Sequence, residues 1–175
     1  MATEIERKFL VKNESWRSLA IGTVYRQGYI VANAQQSVRV RIIGQEAYLT
    51  IKGATVGRTR AEFEYPIPLE DARQMLETLC QPPFIEKKRY KVNWGELVWE
   101  IDEFDGDNKG LIVAEVELVD ENQVIELPEW VGEEVSHDPR FYNVNLIHHP
   151  YCRWSEADKQ WVCQKVASSV PTGNS

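Results

Sequence analysis

Cysteine is scarce in this chain. The three present in 175 residues, Cys80, Cys152 and Cys163, form neither a CxxC pair nor a Cys/His cluster. That excludes a disulfide-stapled scaffold and a cysteine-built zinc module. Basic charge is in deficit: 20 Lys and Arg stand against 27 Asp and Glu, a formal net charge of −7. A nucleic-acid binder working through a broad basic surface is excluded, because affinity for the phosphate backbone needs exposed Lys and Arg. An anion held in a private basic pocket remains compatible. Long apolar runs are also missing. No stretch is long enough to span a bilayer. The opening MATEIERKFLV is charged from its fourth residue and lacks an apolar signal region. The expectation is a cytoplasmic protein with neither nucleic-acid nor membrane partners.

Repeats, low-complexity tracts and interdomain linkers are absent as well. The length fits one domain, 1–166. A Ser/Pro/Gly/Asn-rich tail, 167–175, is expected to fray.

Much of the first two thirds reads as strand. Runs rich in Val, Ile, Tyr, Phe and Trp cover Glu4–Val11, Thr23–Val31, Ser37–Ile43, Glu46–Lys52, Arg58–Ile67, Phe84–Trp94, Leu97–Phe104 and Leu111–Leu118. Turn residues such as Asn93-Trp94-Gly95 separate them. This predicts a mainly β protein of the α+β class: an antiparallel barrel of eight strands with helices packed outside. One helix is predicted over Leu69–Leu79, before Pro82-Pro83. A second starts at Asp138-Pro139, with Asp as N-cap, and runs to His149. A third follows Ser155, with Asp158 three residues on.

Side chains in a strand alternate faces. One face carries Glu4, Glu6 and Lys8; then Arg39 and Arg41; Lys52; Arg60, Glu62 and Glu64; Lys87 and Arg89; Glu100 and Asp102; Glu115 and Glu117. The other carries Ile5, Phe9, Val38, Val40, Ala61, Phe63, Trp99, Ile101, Ala114 and Val116. A solvated outer face is the plain explanation for any one strand. For the set, the charges come in same-sign blocks, and like charges on one face repel. An inward charged face lining a tunnel explains the blocks better. Burying so many charges is costly unless each is paired or ligated. A polyphosphate with divalent cations supplies that compensation.

The ordered set of Glu4-Ile5-Glu6-Arg7-Lys8, Arg39-Val40-Arg41, Lys52, Arg60 to Glu64, Lys87 to Arg89, Glu100 to Asp102 and Glu115 to Glu117 resembles the triphosphate tunnel metalloenzymes, the superfamily of the CYTH domain. The resemblance spans residues 1 to about 150, and IERKFLV looks most like the short inorganic triphosphatase branch. It implies hydrolysis of a triphosphate, foremost inorganic tripolyphosphate, to pyrophosphate and phosphate with Mg²⁺ or Mn²⁺. It implies that Glu4, Glu6, Glu115 and Glu117 bind metal, with Glu62, Glu64 and Asp102 as nearby metal or water ligands. Lys8, Arg39, Arg41, Lys52, Lys87, Arg89 and Arg60 would grip the phosphates. Glu4, Glu6 and Lys8 would serve catalysis. Tyr29 either holds Lys8 in place through its hydroxyl or is a barrel-wall aromatic.

Thiamine triphosphatase, nucleoside triphosphatase and class IV-type adenylate cyclase are alternatives within the superfamily. A non-catalytic polyphosphate or nucleotide binder is a further one. His148-His149 points in two directions on a helix and is not read as a metal pair. Asp105–Asn108 reads as a hairpin turn. The segment with Trp154, Trp161 and Lys165 reads as an amphipathic surface helix, or as a helix closing one mouth with Lys165 reaching the phosphates.

Overall fold

The computed structural model describes residues 2–57 and 59–167. Arg58 and most of the tail read as fraying lie outside the described residues. The strands are β1 (Ala2–Val11), β2 (Thr23–Ala32), β3 (Ser37–Ile43), β4 (Glu46–Lys52), β5 (Thr59–Ile67), β6 (Ile85–Trp94), β7 (Leu97–Phe104), β8 (Ile112–Glu117) and β9 (Val131–Glu134). The helices are α1 (Leu69–Thr78), α2 (Asn143–His148) and α3 (Glu156–Ala167).

The sheet order is β5-β4-β3-β2-β6-β7-β8-β1-β9, and a further β1–β5 pairing closes the first eight strands into an antiparallel barrel. Strand β1 makes the seam: Ala2–Ile5 pair with β5, and Glu6–Leu10 pair with β8. The predicted mainly β, α+β architecture is therefore the observed one. Strand β9 is an addition to it. It is only four residues long and contains Gly132, so it carries too little alternation to be read from sequence. A side chain at Gly132 would come within 3.1 Å of the Leu10 carbonyl oxygen, so glycine lets β9 approach β1.

The outward faces are largely apolar; two structures cover them and a third closes one end of the barrel. Helix α1 lays Ala72 and Leu76 over Val40 and Ala47. Gly28 permits this contact, because a Cβ there would meet Leu76, Cys80 and Phe84 at about 3 Å. Over β1, β7 and β8 the cover is not an α-helix. The 3₁₀ turn Ser15–Ser18 brings Trp16, and the chain before β9 brings Trp130, onto Phe9, Trp99, Ile101, Ala114 and Val116. Trp99 and Trp130 meet edge to face, centroids 5.6 Å apart. Part of β4 and β5 stays open, with Ile51, Phe63 and Tyr65 exposed.

The third cover lies across one end of the barrel. Leu10, Ile85, Phe104 and Val113 continue the inward rows of Lys8, Lys87, Asp102 and Glu115, and all four are buried. They pack with Phe141, Leu146, Ile147, Trp154 and Val162. At this end the lining changes from charged to apolar, and the C-terminal segment plugs the lumen.

The predicted helix over Asp138–His149 is broken in two. Asp138 does cap, its Oδ1 accepting from the Arg140 backbone N–H at 3.0 Å, but the turn Pro139–Phe141 is 3₁₀. Tyr142 is extended (φ −72°, ψ 132°) before α2 begins. The Phe141 carbonyl, released from a helical bond, accepts from Lys8 Nζ at 3.1 Å inside the barrel. Helix α3 starts as expected: Ser155 Oγ accepts from the Asp158 N–H at 3.1 Å and donates to Asp158 Oδ2 at 2.9 Å. Arg140 ties the two segments together, pairing with Asp138 at 2.6 Å and Asp158 at 2.7 Å beneath the Trp161 ring.

Candidate active site

Alternation places the charged rows in the lumen, and burial agrees. Lys8, Arg39, Lys52, Lys87, Arg89 and Asp102 are each at most 8% exposed. Such burial is tolerable only through pairing, and the pairs follow the strand register.

At the open end, Glu4 accepts two bonds from Lys52 Nζ, at 2.8 and 2.9 Å, and one from Arg60 Nε at 3.2 Å. Lys52 also lies 3.8 Å from Glu62. Midway, Lys8 pairs with Glu115 at 3.1 Å. Deeper, Arg89 grips Asp102 with two bonds, at 2.7 and 2.8 Å, and reaches Glu100 at 2.6 Å and Glu115 at 3.5 Å. Lys87 shares Asp102 at 2.6 Å. On the opposite wall Arg41 meets Glu64 at 3.2 Å, and Thr50 donates to the same carboxylate at 2.9 Å. Arg39 donates to Thr50 at 3.4 Å.

Two features of this lattice bear on chemistry. First, the cations are undersupplied with partners on the β3 wall. The Nε groups of Arg39 and Arg41 are buried without a hydrogen-bond acceptor. Burial, then Arg39 and Arg89, push the Arg41 guanidinium down to about 10. Burial and Arg89, outweighing Asp102, push Lys87 down to about 8. An anion placed here would satisfy idle donors and relieve repulsion among the cations.

Second, the carboxylates crowd toward the open mouth. Burial, then Glu115 and Glu4, raise Glu6 to about 7. Burial, then Glu4, Glu62 and Glu100, raise Glu117. Glu115 goes the other way: burial would raise it, but Lys8, Arg89 and Lys87 hold it far below the usual carboxylate range. Mutually repelling carboxylate oxygens suit a hard divalent cation. Among the described residues no three acidic, His or Cys side chains are already drawn together around a metal position. They are instead spread over lysine and arginine partners.

The charged residues anticipated as metal or phosphate ligands lie on this inner surface, but in different company; Lys165 does not. Glu4, Glu62 and Glu117 crowd at the mouth, and Glu6 is repelled by Glu4 and by Glu115, which Lys8 holds midway. Asp102 is committed to Lys87 and Arg89, and Glu64 to Arg41 and Thr50. Tyr29 packs on the apolar plug, while Lys8 takes Glu115 and the Phe141 carbonyl as its partners. Lys165 pairs with Glu133 at 3.4 Å. Four lining groups were not among the anticipated site residues. Glu100 binds Arg89, and Thr50 bridges Arg39 to Glu64. The Tyr25 ring lies 5.3 Å from the Arg41 guanidinium and 5.2 Å from that of Arg89. Gln27 is fully buried. All four share a strand face with an anticipated residue, which is the signal that finds them.

The CYTH domain family model matches residues 2–142. The chain belongs to the CYTH domain family. It is 49% identical over 156 residues to an inorganic triphosphatase of Acetivibrio thermocellus, covering 89% of this chain and all of the relative. It is 36% identical over 149 residues to an inorganic triphosphatase of Nitrosomonas europaea, covering 82% of this chain and 96% of that one. A solved inorganic triphosphatase structure superposes with a TM-score of 0.60 at 32% identity, over 84% of this chain and 95% of that one. The family implies a divalent metal ion, which the crowded carboxylates at the mouth of this CYTH barrel fit. Among the described residues no helix is long and apolar enough to cross a membrane.

Proposed function

We propose that the chain hydrolyses inorganic tripolyphosphate to pyrophosphate and phosphate inside its barrel. The observation that carries this is the pair of guanidiniums Arg39 and Arg41, with buried, idle Nε donors, flanking β2 together with Lys87 and Arg89 in a lumen rimmed by carboxylates. A plug at one end and an anion-sized set of unused donors fit a small phosphate chain, and relatives of full-length overlap are inorganic triphosphatases.

Glu4, Glu6, Glu115 and Glu117 would hold a divalent ion, Mg²⁺ or Mn²⁺, with Glu62 and, after release from their cations, Glu64 and Asp102 as further oxygen donors. When bound, such an ion draws charge from the phosphate oxygens and acidifies a water. Arg39, Arg41, Lys52, Arg60, Lys87 and Arg89 bind phosphate oxygens and neutralise charge on the departing pyrophosphate. Lys8, fixed by Glu115 and the Phe141 carbonyl, would offer its ammonium to the scissile phosphate. A carboxylate of the Glu4/Glu6 pair would orient the attacking water and take its proton.

The deciding assay measures phosphate release from tripolyphosphate, ATP and thiamine triphosphate, each with Mg²⁺, Mn²⁺ and Ca²⁺. Preferred turnover of tripolyphosphate supports the proposal. Tight binding without release under any of these ions would make the chain a sensor instead.

A further inference from the structure

Among the described residues, Gln27 is a lumen-lining side chain with both of its polar atoms buried and without a partner. It is 0% exposed, and neither its Oε1 nor its Nε2 has a hydrogen-bond partner. A buried amide left without partners lowers stability, so the ligand-free fold keeps it at a loss. Its direction is fixed from both sides. Tyr25, two residues earlier, lies against Arg41 and Arg89 in the lumen. Gly28, the next residue, faces α1 on the outer wall. Gln27 therefore points inward.

Register gives its neighbours. Gln27 stands opposite Arg41 on β3 and opposite Ile85 on β6. Arg39 and Lys87 are the adjacent inward residues on those strands. The amide thus sits where the cationic lining meets the apolar plug, at the blind end of the lumen. Nothing charged is needed there, because Arg39, Arg41 and Lys87 already flank the position. What is missing is a ligand that can accept from an amide N–H and occupy a dead end.

We infer that Gln27 is a substrate-contacting residue that forms the floor of the phosphate site, its Nε2 donating to an oxygen of the terminal phosphate farthest from the mouth. This rests on the triphosphate reading above and deepens it. The Oε1 acceptor suits a protonated oxygen of the same phosphate or a water beside it. An ester substituent has no room past the floor, so the inner end takes a bare terminal phosphate and any organic group must lie toward the mouth.

Two variants of similar length test this, Gln27→Met and Gln27→Glu. Three quantities are read: melting temperature without ligand, tripolyphosphate affinity by calorimetry without metal, and KM with kcat. Gln27→Met removes the unpartnered amide, so its melting temperature should stay level or rise, while affinity falls about tenfold or more and KM rises in parallel. Gln27→Glu places a carboxylate against the phosphate and should weaken affinity further than Met does. A purely structural role predicts the reverse for Met, a lower melting temperature with unchanged affinity, and that result overturns the inference. So does affinity within twofold of wild type in both variants. If wild-type protein binds tripolyphosphate without releasing phosphate, the hydrolysis proposal fails, and the Gln27 contact is still decided by the ratio of binding constants.

Discussion

Arg89 and Asp102 face each other on β6 and β7 and share two parallel hydrogen bonds, Nε to Oδ1 at 2.7 Å and Nη2 to Oδ2 at 2.8 Å, with Asp102 only 1% exposed. The same carboxylate serves Lys87. One anion therefore neutralises two buried cations. Asp102→Ala should cost roughly 3–5 kcal/mol of stability, because it removes the carboxylate that Lys87 pairs with and leaves Arg89 only Glu100 and Glu115. Saturating tripolyphosphate should return part of that loss by supplying negative charge to the same groups. Urea denaturation with and without the ligand reads both effects, and equal loss in the two arms would separate Asp102 from the anion site.

Glu6 makes acidity a variable of the metal site. Burial, then Glu115 and Glu4, raise its pKa to about 7 from the ordinary carboxylate value of 4.5. Between those values the folded protein holds a proton that the unfolded chain has released, so this group weakens the fold as pH climbs through that window. Gln cannot ionise. Metal-free Glu6→Gln should therefore lose less melting temperature than wild type between about pH 5 and about pH 8. A cation must displace the Glu6 proton, so Mn²⁺ affinity of the wild type should rise up to about pH 7 and then level off. Calorimetric titrations across that range check it; an affinity flat with pH refutes a ligand role.

Glu4→Gln and Glu6→Gln should each remove metal-dependent phosphate release while the circular dichroism spectrum stays that of the barrel. A variant with full turnover would falsify the assignment of the acidic mouth.

Lys52 is held by Glu4 on two bonds and is only 7% exposed. Lys52→Ala loses a phosphate donor and releases Glu4 to its Arg60 contact alone. The expected outcome is a rise in KM of about tenfold or more, from the loss of one charged hydrogen bond. Unchanged KM and kcat would place Lys52 outside the pocket.

Trp154 packs edge to face on Phe141 within the plug, centroids 5.3 Å apart, and is 4% exposed. Trp154→Ala should destabilise by roughly 3–5 kcal/mol. A thermal scan with a loss below about 1 kcal/mol would show that the plug is not packed as described.

The barrel was legible because one physical rule repeats: inward and outward side chains alternate, and each of the eight strands shows it over six or more residues. The charged lining followed from the same rule. What escaped has equally definite causes. The plug residues Leu10, Ile85, Phe104 and Val113 obey the alternation but look like any apolar strand position, so only three-dimensional closure marks them as inward. The break at Tyr142 depends on a tertiary bond, the Phe141 carbonyl to Lys8, across 133 positions of sequence. Gln27 carries no charge, and a reading keyed to charge passes over it. The pairing of Asp102 with Lys87 and Arg89 is a matter of register, which side-chain types alone do not specify.

The plug turns the barrel from a passage into a cul-de-sac, and that sets the traffic of the reaction. Substrate must enter and both products must depart through the acidic rim. The fragment nearer the rim has to clear before the one on the floor can follow. Release is then ordered by depth: the deeper product competes directly with incoming substrate, and the shallower one inhibits without competing. Product-inhibition patterns for phosphate and pyrophosphate would therefore report which end of the triphosphate reached the floor.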